Sequence, residues 1–219
     1  MTLLPFKIDA HVHTCETSQC AKSSGAAIAQ RYHQMGYHGI VITDHIHDGY
    51  IHQLENSENW QACVDSFLLG YQAAKATGDK LDLAVILGAE LRLENDTSDF
   101  LIYGIDEDFL RRNPYLHRHT IEDFYHKFSQ QVLIIQAHPF RRGNHPVNPQ
   151  HMHGVEVENG SPFIENNNHL TAAFVQAHPH LCTTKGSDTH HVDGAGLAHM
   201  AFTKPITNAK EFMYAVKPS

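Results

Sequence analysis

The sequence predicts an α/β fold in which βα units wind into a barrel, and three observations predict it. Short apolar, β-branched runs alternate along the chain with stretches of helical period, the pattern of successive βα units and a parallel sheet. Run after run ends in His, Asp or Glu, and in an α/β barrel the C-terminal strand ends meet at one rim. The chain has 219 residues, a single-domain length at the short end of the barrel range.

Taken in order, the strand candidates are 6–13, 39–43, 83–87, 100–105, 132–137, 154–157 and 181–185, with 199–203 as a further short run. Helical stretches fall between them at 25–35, 57–76, 120–130, 166–176 and 208–216. Gly36 and Gly78 stand where the first two helices should stop, since glycine takes the left-handed C-terminal position without penalty. Thr120, ahead of Glu122 and Asp123, reads as an N-cap whose hydroxyl accepts an orphan backbone N–H. Segments 44–56, 88–99 and 141–153 read as loops. No linker, repeat or low-complexity segment divides the chain, which predicts one domain over 1–219.

The ends of the runs carry the chemistry. Residues 8–13 read Ile-Asp-Ala-His-Val-His, and because strand side chains alternate, Asp9, His11 and His13 are expected on one face. Later runs end in Asp44 and His45, in Glu90, in His138, and in Asp188 and His190, while 154–157 leads to Glu158 and Asn159. Each residue alone has an ordinary explanation as a cap, a strand end or a surface group. Their shared position at strand C-termini does not follow from those explanations and predicts a metal site at the rim. His and carboxylate donors without paired Cys suit Zn²⁺, Mn²⁺ or Fe, and the surplus of donors implies two or three divalent ions. Ions about 4 Å apart can clamp both oxygens of a displacement at phosphorus.

Composition narrows the partners. Lys and Arg number 16 against 24 Asp and Glu, a formal charge of −8, and no basic run exists. Such a surface does not attract a phosphate backbone, so a nucleic-acid partner is not expected. The 20 histidines are the compositional anomaly; several, such as His117, His119, His151 and His153, fall in polar loops. None of Cys15, Cys20, Cys63 and Cys182 forms a CxxC pair, which excludes a zinc ribbon and a disulfide framework; none is assigned as a ligand. With no signal-like or long apolar stretch, a cytoplasmic protein without membrane attachment is expected. Trp60 reads as helix packing, and the 194–196 turn as backbone with no phosphate-loop context.

The ordered set Asp9-x-His11-x-His13-Thr14, Thr43-Asp44-His45, Gly88-x-Glu90, His138-Pro139 and Ser187-Asp188-x-His190 resembles the PHP (polymerase and histidinol phosphatase) domain, in its stand-alone bacterial phosphoesterase form. The resemblance spans residues 9 to 190 and implies a distorted, TIM-like (β/α)7 barrel with a trinuclear centre. It implies that His11, His13, Glu90 and Asp188 hold the first ion, and that Glu90 bridges to a second completed by His138. His45 and His190 would hold a third, and Asp9 and Asp44 would orient ligating imidazoles from behind. The chain departs from the family at two places. Asp99 stands where many members have a second-ion His, and Glu16 is the natural substitute for a third-ion ligand in the loop after Thr14. Arg141, three residues after His138, is expected to grip substrate phosphate, with Arg142, Lys22, Lys185 and Arg92 as weaker candidates and Asn159 as a ligand contact or loop anchor.

The implied function is phosphomonoester hydrolysis of a small molecule. A metal-activated hydroxide would be the nucleophile, and Arg141 and Asp188 would act at the reacting centre. His190 or a water would be the acid. Phosphodiester or exonuclease-type cleavage of short nucleic acids or nucleotides is the alternative, followed by a non-catalytic metal-binding module. C–N cleavage of the amidohydrolase kind is set aside because Glu90, not a Lys, takes the bridging position. The sequence sets no oligomeric state and no natural substrate.

Overall fold

Val- and Ile-rich runs form strands because branched side chains pack well on a pleated surface covered from both sides. The computed structural model describes residues 5–47, 59–94 and 96–217. Its strands, in chain order, are β1 (Phe6–Val12), β2 (Gly39–Ile42), β3 (His45–Ile46), β4 (Ala84–Arg92), β5 (Asp99–Tyr103), β6 (Leu133–Gln136), β7 (Gly154–Asn159), β8 (Cys182–Gly186) and β9 (Met200–Phe202). They form one sheet in the order β8-β7-β6-β5-β4-β2-β1-β9, with β3 added to β4. The main helices are α1 (Gly25–Gln34), α2 (Trp60–Leu81), α3 (Glu107–Arg112), α4 (Ile121–Phe128), α5 (Asn168–Ala177) and α6 (Ala209–Val216).

The sheet nearly closes on itself, so the expected single-domain α/β barrel is observed. Past the end of β8, the Asp188 N–H donates to the His11 carbonyl at 2.9 Å and the His13 N–H to the Thr189 carbonyl at 3.0 Å. At the opposite end β9 pairs antiparallel with the start of β1, Phe6 against Phe202. Among the described residues, the β1–β8 main-chain bonds across the seam lie at the rim. Inside, Ile8, Val41, Ile86, Leu101, Tyr103, Leu133 and Ile135 fill the barrel, and Phe212 and Met213 of α6 plug its base. Alternate residues pack outward, Ile40 and Ile42 against α1 and Phe100, Ile102 and Ile134 under α2, α3 and α4.

Two expectations are corrected. Segment 88–99 is not a loop throughout: β4 runs on to Arg92, and β5, starting at Asp99, is antiparallel to both neighbours. The connection between Arg92 and Asp99 is too short for the dozen or more residues a parallel crossover needs. Reversal of β5 places its first residue, Asp99, opposite Arg92 at the rim where the other strands end. Gly78 does not stop the second helix; α2 continues to Leu81 and is capped by Asp82 in the left-handed conformation. Gly78 serves packing instead, because a Cβ there would meet Val85 Cγ2 at 2.6 Å. The short helix α3 and the strand β3 were not expected; α3 is announced by Asp106, whose carboxylate accepts the Phe109 N–H. The expected loop 44–56 and helix start at 57 lie largely outside the described residues. Thr120 caps α4 as expected, and the Trp60 indole donates to the Leu110 carbonyl within the outer core. No described helix is long and apolar enough to cross a membrane.

One helix position reaches the rim. Gly70 of α2 lies so close to the chain after β1 that a Cβ would sit 1.7 Å from Thr14 Oγ1 and 2.9 Å from Asp44 Oδ2. Gly70→Ala should therefore destabilise the fold by about 1–3 kcal/mol, the usual range for overpacking, read as a lower urea midpoint. An unchanged midpoint contradicts this packing.

Candidate metal centre

His11 and His13 leave β1 side by side. The β1–β2 register shifts between Asp9 and Val12, and this irregularity breaks the alternation expected for Asp9, His11 and His13. Asp9 faces α1, where its carboxylate accepts from the Tyr32 hydroxyl at 2.6 Å and from the Ser187 N–H at 2.9 Å. It therefore ties β1 to the end of β8 rather than orienting an imidazole. His11 and His13 face the barrel mouth, fully buried.

Four donors converge there. His11 Nε2 and His13 Nε2 are 3.0 Å apart. Glu90 lies 3.5 Å from the first and 3.4 Å from the second, and Asp188 Oδ1 lies 3.5 and 3.3 Å from them. An ion with donors at about 2.0–2.1 Å in a tetrahedron separates those donors by about 3.4 Å, so this cage fits a divalent metal. Each imidazole has its other nitrogen engaged. His11 Nδ1 lies 2.9 Å from Glu156 Oε1. His13 Nδ1 lies 3.5 Å from the Ser18 hydroxyl, which donates to Asp44 at 2.6 Å. Asp44 thus acts on His13 through Ser18, and it also accepts from the Thr14 N–H and hydroxyl at 2.7 and 2.6 Å.

A second group adjoins the first. His138 Nε2 lies 3.0 Å from Glu90 Oε1 and 3.9 Å from Asp99 Oδ2. His138 Nδ1 is buried without a hydrogen-bond partner. Asp99 is gripped by Arg92, Nε and Nη2 each donating at 2.7 Å, so the residue expected as a metal donor also carries its own cation. His138 and Asp188 stand just past strand ends with φ of +29° and +52°. A side-chain-bearing residue at positive φ costs about 1–3 kcal/mol and collects at functional sites.

A third group is formed by His13, His45 and His190, whose donor atoms lie within 4.8 Å of one another. His45 Nδ1 is 2.8 Å from Glu90 Oε2, and His190 Nδ1 is 3.0 Å from the Asp188 carbonyl. The proposed ligand Glu16 is not among them. Both its oxygens accept the Gly25 N–H, at 3.1 and 3.0 Å, at the start of α1. The unpaired N–H groups and positive dipole end of that helix hold the carboxylate away. Cys20 stands nearby, Sγ 3.3 Å from His45 Nε2.

Arg141 reaches the rim as expected. It donates to Asp188 Oδ2 at 2.5 Å, to Asn159 Oδ1 at 3.0 Å and to Asn166 Oδ1 at 2.8 Å. Asn159 in turn donates to Glu156 and Asp188, at 2.9 and 3.2 Å, which makes it a brace for both. A cavity of about 640 Å³ opens over the centre, lined among others by Lys22, Arg92, Arg141, Phe163 and His190. Lys185 faces away and pairs with Glu158 at 2.8 Å. Arg142, in the left-handed region at φ +45°, is not among the cavity-lining residues.

Glu156 is the residue that sequence reasoning missed. Its signal was present: Val155 packs outward under α5, so the next residue of the strand points inward, and here it is an acid. A bulge between Glu156 and Glu158 then turns Glu158 out to Lys185.

The electrostatics favour cations. Glu90, Asp99, Glu156 and Asp188 are buried carboxylates; among the described residues, guanidinium groups pair with two of them, Arg92 with Asp99 and Arg141 with Asp188. Burial works against charge on His11, but Glu156, Asp188 and Glu90 outweigh it and raise its pKa well above the ordinary value. His45 is likewise opposed by burial yet raised by Glu90 to about 10.

No family model matches the chain, and no curated protein matches it. Solved structures do. The chain is similar to PsfC from Pseudomonas syringae, at 19% identity and TM-score 0.68 over 98% of this chain and 90% of that one. It is similar to a two-domain protein from Bacteroides vulgatus containing a predicted PHP-like metal-dependent phosphoesterase, at 18% identity and TM-score 0.62, over 86% of this chain and about half (53%) of that one. It is also similar to an amidohydrolase from Chromobacterium violaceum with bound sulfate and no metal, at 14% identity and TM-score 0.56. At these identities the likeness establishes the barrel fold alone.

Two outcomes follow from the centre. Glu156→Gln removes the charge behind His11, so affinity for the first ion should fall about 10–100-fold in competition with a chromophoric chelator; unchanged affinity contradicts the role. Because His45 is protonated below about 10, an ion must displace that proton. Metal uptake at neutral pH should release protons, and affinity should climb with pH, measured by titration in weak buffer. Uptake without proton release is the contrary result.

Proposed function

We propose that the chain is a metal-dependent hydrolase of the PHP kind that cleaves phosphomonoesters of small molecules in the cavity above His11 and Asp188. The observation that carries this reading is the cage of His11, His13, Glu90 and Asp188 with Arg141 fixed at its edge. His11, His13, Glu90 and Asp188 would hold one ion, and Glu90, His138 and Asp99 a second. Divalent ions held there would supply Lewis acidity toward phosphoryl oxygens and lower the pKa of a water.

The chain's own residues do the rest. Glu156 and Ser18 engage Nδ1 of His11 and His13, leaving Nε2 of both directed into the cage. Asn159, Asn166 and Asp188 hold the Arg141 guanidinium at the rim, where it can meet phosphoryl oxygens and their developing charge. Arg141 and Lys22, both lining the cavity, favour a dianionic monoester over a singly charged diester. The two roles expected of His190 compete for one nitrogen, because Nδ1 is held by the Asp188 carbonyl. We assign Nε2 to metal, so water in the open cavity protonates the leaving oxygen.

The test compares p-nitrophenyl phosphate with bis(p-nitrophenyl) phosphate. Monoester turnover should exceed diester turnover, vanish with chelator and return with Mn²⁺ or Zn²⁺. Arg141→Ala should lower kcat/KM about 10²–10³-fold with metal content unchanged. Full metal content without turnover of either ester contradicts the proposal.

A further inference from the structure

The loop after β1 brings a thiol to the outer edge of the centre. Cys20 lines the cavity, with Sγ 3.3 Å from His45 Nε2. His190 lines the same cavity. Both imidazoles have Nδ1 committed, His45 to Glu90 at 2.8 Å and His190 to the Asp188 carbonyl at 3.0 Å. Nε2 is the His45 nitrogen that meets Cys20. A tetrahedral ion with sulfur at about 2.3 Å and nitrogen at about 2.0–2.1 Å places the two donors about 3.6 Å apart, close to the observed contact.

The backbone fixes this placement. Ser18 N–H donates to the Thr14 carbonyl at 2.8 Å, Ala21 N–H to the Ser18 carbonyl at 2.9 Å, and Lys22 N–H to the His190 carbonyl at 2.7 Å. The last bond staples the residues beside Cys20 to the segment that carries His190. Cys15, in the same loop, is turned elsewhere; its Sγ lies 3.8 Å from Glu16 Oε2.

We propose that Cys20, with His45 and His190, forms a one-thiolate, two-imidazole site for the outermost ion, in the position Glu16 vacates by capping α1. Three protein donors leave a fourth position facing the cavity, the arrangement of an exchangeable site. A thiolate donor selects zinc or ferrous iron over manganese or magnesium at this position, so the outer ion differs in kind from those an all-oxygen and imidazole set would accept. Binding releases the thiol proton to solvent. The inference rests on the metal-centre reading and not on the ester that is cleaved.

The test is cobalt exchange of the full-length protein, read by absorption and metal content. Wild type and Cys15→Ala should both show a near-ultraviolet thiolate-to-cobalt band. Cys20→Ala and Cys20→Ser should lose it, and with it one equivalent of bound cobalt. In unmodified protein, zinc should slow alkylation of Cys20 at least tenfold while leaving Cys15 unaffected, a measurement that does not depend on the variants folding. A band that persists in Cys20→Ala, its absence from cobalt-loaded wild type, or zinc-independent alkylation overturns the assignment. Failure to bind any cobalt overturns the metal centre along with it. A band without ester turnover supports the assignment and refutes only the phosphoesterase reading.

Discussion

Four acidic side chains are withdrawn from water at one barrel mouth, and the surrounding structure answers that cost. Glu90, Asp99, Glu156 and Asp188 are each at most 6% exposed. Buried charge without compensation is worth several kcal/mol against folding per ion. Arg92 and Arg141 offset part of it, through paired contacts to Asp99 and Asp188. The remainder falls on imidazoles: His11 and His45 are pushed toward protonation by the same acids. Divalent ions would relieve that imbalance at the nitrogen and oxygen atoms already aimed inward.

The scaffold follows from this constraint. Main-chain bonds between the ends of β1 and β8 join the barrel at the level of the cage, and at the base β9 pairs with the start of β1. Asp9 and Asp44, both pushed up to about 6 by burial, are spent on holding backbone and hydroxyl groups around the two β1 histidines. Gly70 lets α2 press against Thr14 and Asp44, which places the helix layer directly behind the ligand shell.

Much of this was legible in the sequence, because the barrel converts a one-dimensional pattern into a point. His11, His13, His45, Glu90, His138, Asp188 and His190 were each found from their place at a run's end, and the strands bring them together. What was hidden depended on geometry that pattern does not carry. The irregularity in β1, after Asp9, separated Asp9 on the helix side from His11 and His13 at the mouth. Antiparallel pairing of β5 with β4 reversed one strand and gave Asp99 an arginine partner. Glu16 satisfied a helix N-terminus a few residues away, a local demand that outcompeted the distant site. Glu156 lay within its strand rather than at the end, so a search of strand ends passed over it.

The direct measurement of the central claim is anomalous diffraction from crystals grown with Zn²⁺ or Mn²⁺. The account predicts a peak about 2.0–2.2 Å from His11 Nε2, His13 Nε2, Glu90 and Asp188 Oδ1. Metal-soaked crystals in which those four atoms keep their present spacing around water alone would contradict it.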